Sequence, residues 1–167
     1  MKHSLLLLAC ALLVACHNDP PMVGRPAAPQ ADLKEHLINA NRTIAQSEET
    51  SIDEYVGRRG WKMERLPEGA RIWEYRKGNG KQVDFEDSVT VRYDVEAING
   101  KLIYKDIEES YVAGRRQQMI GLDQAVLQLR HGSRAKVILP SSLAYGIGGD
   151  GDRITQSSIL VIDVEVE

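Results

Sequence analysis

Apolar and polar positions divide the chain near Trp61. Before it, Leu33, Leu37, Ile38 and Ile44 recur at helical spacing, and Ile52, Tyr55 and Val56 continue the stripe. This predicts a helix over 32–59, or two helices with a break near "SEETS" at 47–51. Asp32 and Glu35 have the spacing of a capping box, and Gly57 and Gly60 mark the stop. The stripe either packs on the rest of the chain or pairs with a second copy of it. From Trp61 the period changes to that of strands. "KMERL" (62–66) and "ARIWEYRKG" (70–78) flank a "PEG" turn. In "SVTVRYDVEA" (88–97), Val89, Val91, Tyr93 and Val95 share one face. "NG" at 99–100 is a strong hairpin signal, with "KLIY" (101–104) as the return strand. "GLDQAVLQLRHG" (121–132) reads as a short helix burying Leu122, Ala125, Val126 and Leu129 and stopped by Gly132. "SRAKVIL" and "SSILVIDVEVE" complete the strands. The sum over 61–167 is an α+β domain, an antiparallel twisted sheet wrapped around one short helix.

The first residues have a different pattern. "MKHSLLLLACALLVACHND" carries a lysine, an apolar run from Leu5 to Ala15, and a small residue before Cys16. That is the layout of a secretory signal over 1–15, too short to span a bilayer. Residues 17–31 hold four prolines and little periodicity, so 16–31 reads as a tether. The only cysteines are Cys10 and Cys16, and one at most survives cleavage. An exported chain with a lone cysteine has no internal disulfide to form and no cysteine-based zinc site. Net charge is −3, and setting aside residues 1–15, with one lysine and no acid, makes it −4. A nucleic-acid partner would ask for a basic stripe, and none is present.

Conventional catalysis finds few candidates. Of the histidines beyond the signal, His17 is in the tether, His36 on the helix and His131 after the short helix, and no two have metal-ligand spacing. No serine has a G-x-S-x-G setting, and "GNG" at 78–80 precedes a strand rather than a helix. The reading therefore calls for no cofactor and no metal. An apolar cleft with a few polar points is what remains. One loop suits such a cleft: in "LAYGIGGDGD" (143–152), Tyr145 stands beside glycines 146, 148, 149 and 151. A ring held over an open space would be carried this way.

The motif order resembles the FKBP family of macrolide-binding prolyl isomerases. The resemblance runs from about Trp61 to Glu167 through "VTVRY" (89–93), "NGKLI" (99–103), "GRRQQMIGLDQAVLQL" (114–129), "GSRAKVILP" (132–140), "LAYG" (143–146) and "ILVIDVEV" (159–166). It implies a catalytic set of Tyr145, whose hydroxyl donates to a bound carbonyl, Met119, whose backbone N–H reaches a second carbonyl, and Tyr93 on the wall. It implies substrate-binding positions at Ile103, Tyr104, Ile154 and Ile162, with Leu122 at the floor, where the family often has tryptophan. Plain core packing is the alternative for Tyr93, Leu122 and Ile162, and a solvent-exposed loop ring for Tyr145. "LVAC" (13–16) likewise resembles the bacterial lipobox, implying cleavage before Cys16 and its acylation with palmitate-class chains. Cleavage at Cys10 would leave too short an apolar run. The expected partners are the membrane, through that anchor, and proline-containing segments of exported proteins at the bacterial cell envelope, periplasm-facing or at the outer membrane.

The pattern departs from the family in one segment. Active members usually carry an aromatic residue followed by an aspartate after the hairpin, where this chain has Ile103 and Tyr104, with Asp106 two residues late. The next loop is about four residues shorter, and Glu109 falls where a pocket-lining ring is usual, with Tyr111 the nearest ring. A hydrogen bond to a charged group is worth roughly 1.5–3 kcal/mol, so its loss implies a rate about 10- to 150-fold lower. "LIYKD" also resembles FKBP lipoproteins linked with gliding motility. Two outcomes follow: a slow isomerase, or a groove kept for binding in an envelope machine.

Overall fold

The computed structural model describes residues 30–116 and 119–167, with side chains from 33 onward. The expected signal, Cys16 and the tether lie outside the described residues. Two compact units divide at Leu37, and the second, Ile38–Glu167, holds everything that follows except the start of the first helix.

That helix, α1 (Gln30–Arg59), is continuous through 47–51. It already runs at Gln30, two residues before the expected start. Its apolar stripe has two fates. Ile52 and Tyr55 are buried with Ile138, Ile159 and Val161, whereas Leu33, Leu37, Ile38 and Ile44 are exposed. Around the docked part, Trp61 packs between Tyr55 and Trp73, each at 5.8 Å between ring centroids. Arg71, itself buried, donates to Glu49 and, at 2.9 Å, to Asp53 of the helix. Burial works against its charge, but these two carboxylates outweigh that and hold its pKa above the ordinary value.

The strands are β1 (Glu64–Arg65), β2 (Arg71–Arg76), β3 (Ser88–Ala97), β4 (Leu102–Val112), β5 (Arg134–Leu139) and β6 (Leu160–Val166). They form one antiparallel sheet in the order β1-β2-β5-β6-β3-β4. Central strands buried on both faces carry continuous apolar runs. In β5 and β6, the cross-strand pair Ile138 and Val161 belongs to the cluster with Ile52 and Tyr55, while Val137, Leu139, Leu160 and Ile162 belong to the main core. The short helix α2 (Ile120–Val126) shares that main core through Leu122, Ala125 and Val126. Gly121 allows its close approach, since a Cβ there would lie 2.6 Å from a Leu139 methyl carbon.

Two elements differ from expectation. The helix expected over 121–132 ends at Val126, because the Gln82 side-chain amide donates to the carbonyls of Leu127 (2.9 Å) and Leu129 (2.8 Å) and draws the chain into a turn. The return strand expected over 101–104 is eleven residues long. Its pairing shifts between Tyr93–Ile107 and Val95–Tyr104, one extra residue on the β4 side, with Asp106 at φ 56°. This bulge reverses the alternation: Tyr104 is half-buried before it and Ile107, Glu109 and Tyr111 after it.

Ile52 is one of two fully buried residues, with Tyr55, through which α1 docks. Truncating a fully buried isoleucine removes its transfer energy and leaves a cavity. Ile52→Ala is expected to lower unfolding free energy in urea by about 2–5 kcal/mol; a loss below about 1 kcal/mol would mean that α1 contributes little to the fold.

Candidate functional site

A hollow of about 180 Å³ opens between β3, β4, the start of α2 and the glycine-rich loop, lined by Tyr93, Val95, Tyr104, Ile107, Met119, Tyr145 and Asp150. Four of the residues singled out in the sequence, Tyr93, Tyr104, Met119 and Tyr145, meet here. Leu122, Ile154 and Ile162 are buried in the core behind it, and Ile103 packs against that core. Val95, Ile107 and Asp150 join the lining without having been singled out. Val95 was legible in the β3 alternation; Ile107 was hidden by the bulge.

The loop is shaped by one carboxylate. Asp150 Oδ1 accepts the backbone N–H groups of Asp152 (2.9 Å), Arg153 (3.0 Å) and Ile154 (2.8 Å). Its Oδ2 accepts the Tyr104 hydroxyl at 2.5 Å. Gly149, at φ 67°, makes the fold-back possible, since a Cβ there would lie 2.2 Å from the Ile154 carbonyl oxygen. Partial burial raises the Asp150 pKa, but the hydrogen bonds from Tyr104 and the three amides outweigh it and leave it below the ordinary aspartate value. The same bond to Asp150 pushes the Tyr104 phenol up to about 12. Tyr104 therefore stands at the side of the hollow, tied to the loop.

Beneath the hollow lies a second polar group. Tyr93 donates to Glu109 Oε2 at 2.9 Å, and Arg116 Nη2 donates to the same oxygen at 2.8 Å and to the Tyr93 hydroxyl at 3.3 Å. The Arg116 side chain is only 7% exposed, so a carboxylate partner is what its charge requires there. Burial pushes the Tyr93 phenol up to about 12 despite the neighbouring guanidinium. Asp106, the displaced acid of the sequence, lies on the exposed side and pairs with Arg92 at 3.1 Å. The hollow is thus bordered by the Asp150 carboxylate, while Glu109 reaches it only through the Tyr93 hydroxyl that it accepts. Glu109 stands near the position the resemblance gave it, whereas Asp150 was not singled out, because the loop fold that brings it there has no local sequence signature.

Tyr145 is half-buried, and burial raises its phenol above the ordinary value while Arg116 opposes the rise. Among the described residues nothing hydrogen-bonds its hydroxyl, which leaves that donor for a ligand. Met119 is buried and takes a left-handed conformation at φ 48°, ψ 52°, immediately before α2. Its N–H donates to the Ala144 carbonyl at a long 3.3 Å. For this amide to serve a ligand, that weak bond must be exchanged for one to the ligand. The buried carboxylate of Asp123 in α2 accepts the N–H groups of Gly114 (3.0 Å) and Arg116 (3.2 Å), fixing the segment that delivers Arg116. No group of side chains suited to a metal ion occurs among the described residues. A hollow lined by three tyrosines, with the Tyr145 phenol left to donate and the Asp150 carboxylate anchored at its rim, suits noncovalent binding of a small apolar ring beside a carbonyl.

Known proteins resemble this chain in sequence and in fold. The family profile for FKBP-type peptidyl-prolyl cis-trans isomerases matches residues 80–167, just over half of the chain. FK506-binding protein 4 of Rhizopus delemar is 30% identical over 108 residues, which cover 63% of this chain and 28% of that protein. The probable FKBP-type isomerase FkpA of Neisseria meningitidis is 34% identical over 93 residues, covering 54% of this chain and 34% of that one. The chain thus spans about a third or less of these two relatives. Among solved structures, a peptidyl-prolyl isomerase of Pseudomonas syringae superposes with a TM-score of 0.61 at 24% identity, covering 75% of this chain and 92% of that one. FkpA of Escherichia coli does so at 0.61 and 22%, covering 82% and 66%. At such identities the two structures speak for the fold, the profile for the family: the chain belongs to the FKBP-type peptidyl-prolyl cis-trans isomerases.

Proposed function

We propose that this chain isomerises Xaa–Pro bonds in exported proteins, noncovalently, in the hollow beneath Tyr145. The observation that carries the reading is that hollow itself: it remains open beside Tyr104, the residue that replaces the usual acid, because Asp150 holds the Tyr104 hydroxyl. Rotation about an Xaa–Pro bond must break amide resonance, a barrier of about 18–20 kcal/mol. The twisted transition state is less dipolar than the planar amide, so apolar walls at Val95, Ile107 and Met119 disfavour the ground state more. The Tyr145 hydroxyl donates to the carbonyl beside the proline and selects the twisted geometry. Tyr93, held by Glu109 and Arg116, keeps the floor rigid.

A second reading, a groove that binds proline segments with little turnover, is favoured by one observation. The Met119 amide is already engaged by Ala144, so a ligand gains only an exchange of bonds there. Under either reading, the lipobox-like "LVAC" supports anchorage of the chain at the bacterial envelope through acylated Cys16. Two or more acyl chains give far firmer attachment than one, at about 0.8 kcal/mol per buried methylene.

Kinetics on a proline peptide separate the readings. The full chain in detergent is expected to accelerate isomerisation above buffer, and Tyr145→Phe to lower kcat/KM about 2- to 12-fold, the worth of one neutral hydrogen bond. Acceleration no greater than buffer leaves the binding reading. The pH profile of kcat/KM follows from the shifted groups. Asp150, with its pKa depressed, keeps its latch above the ordinary value of 3.8 and loses it only as pH falls through its own lower value. Tyr145, with its pKa raised, loses its proton only as pH rises through a value above the ordinary 10.0. The profile is therefore expected to be flat from about pH 5 to about pH 9; a limb inside that range would assign the rate to a different group. Intact mass of the protein purified from bacterial membranes checks the anchor: a mature chain starting at acylated Cys16 is expected, and an unmodified Cys16 would rule the anchor out.

A further inference from the structure

The Tyr145 loop is fastened to α1 at its root. Glu48, in the middle of α1, is only 9% exposed. Its Oε1 accepts the Ser141 hydroxyl at 2.6 Å and its Oε2 the Ser141 backbone N–H at 3.0 Å. Ser141 opens the short 3₁₀ turn, Ser141–Leu143, that leads into the loop. Its carbonyl accepts the N–H groups of Ala144 (3.1 Å) and Gly146 (2.8 Å), the residues on either side of Tyr145. The Ala144 carbonyl in turn accepts the Met119 N–H. One bonded path therefore runs from a helix carboxylate to both donors of the hollow. On the helix side Glu48 is held in register by its neighbours, with Glu49 and Asp53 on Arg71 and Ile52 and Tyr55 in the core.

A carboxylate removed from water needs such charge-assisted bonds, so Glu48 has strong reason to keep Ser141 in one pose. A merely fastening contact would end at Ser141. Here the same residue carries the two amides that flank the phenol, so a change in its pose is passed to Tyr145 by two hydrogen bonds and one short turn.

We propose, on the isomerase reading above, that Glu48 is a positioning residue of the prolyl site: by fixing Ser141 it sets the pose of Tyr145 and of the carbonyl facing Met119. The working site then includes a helix outside the residues that match the family profile, 80–167.

The test uses the full chain in detergent and follows kcat, KM and backbone amide resonances. The variants are Glu48→Ala, Glu48→Gln and Ser141→Ala, with Val166→Ala, buried at the far end of β6, as a core variant remote from the loop. Glu48→Ala and Ser141→Ala are each expected to lower kcat by about 2- to 12-fold with little change in KM, no more than the loss of the Tyr145 hydrogen bond that they position. Glu48→Gln, which keeps one acceptor, is expected to recover part of the loss, and Glu48→Ala combined with Ser141→Ala to be no worse than either alone. Amides of Gly146 and Met119 are expected to shift in Glu48→Ala and Ser141→Ala but not in Val166→Ala. Unchanged kcat and unchanged amides in folded Glu48→Ala would overturn the proposal, as would an equal kcat loss with the same amide shifts in Val166→Ala. If the unaltered chain does not isomerise proline peptides, the functional reading fails separately, and the Gly146 and Met119 amides alone decide the positioning role.

Discussion

The site depends on the Asp150 carboxylate. Three backbone N–H groups and one phenol converge on it, and they turn a glycine-rich segment, costly to order, into a wall. Four glycines near Tyr145 give the loop its reach but no reason to hold one conformation. Asp150 supplies that reason locally, through its Asx-type turn, and over distance, through Tyr104 on β4. Tyr145 hangs from the other end of this loop over a hollow bordered by the same Asp150. Electrostatics and shape are thus one problem: the group that charges the rim also spaces it.

Tyr104 illustrates how such a wall tolerates an exchanged residue. Where relatives are expected to carry an acid on the strand, this chain carries a phenol on the strand and an acid on the loop. Here the hydrogen bond across the mouth runs from the strand phenol to the loop acid. Below, Glu109 and Arg116 give Tyr93 a charged partner from a different place on β4 and the following loop.

Much of the fold was legible because periodicity reports burial. Val89, Val91, Tyr93 and Val95 alternate as expected and are all buried, and Leu122, Ala125 and Val126 face the core from a helix that starts within one residue of expectation. Reading stopped where one residue overrides a period. The bulge near Asp106 shifts the phase of β4, so "KDIEES" reads as a polar loop although Ile107 and Glu109 turn inward. Gln82 ends α2 early from 45 residues away. In α1 the stripe is genuine but only half-used, since helical spacing says which residues share a face and nothing about how far a partner surface extends. Glu48 shows the opposite failure: an ordinary surface-type residue by sequence, it is buried because Ser141 gives it two donors.

The central claim is that the hollow beneath Tyr145 receives a prolyl ring. Titrating a short Ala–Pro-containing peptide into the ¹⁵N-labelled chain, with cis–trans exchange followed on the peptide, tests it most directly. The account predicts saturable shifts at Tyr93, Val95, Ile107, Met119 and Tyr145, together with peptide exchange faster than in buffer. Shifts confined to another surface, such as the 470 Å³ cleft lined by Glu49, Arg65 and Ser142, or no shifts at all, would contradict it.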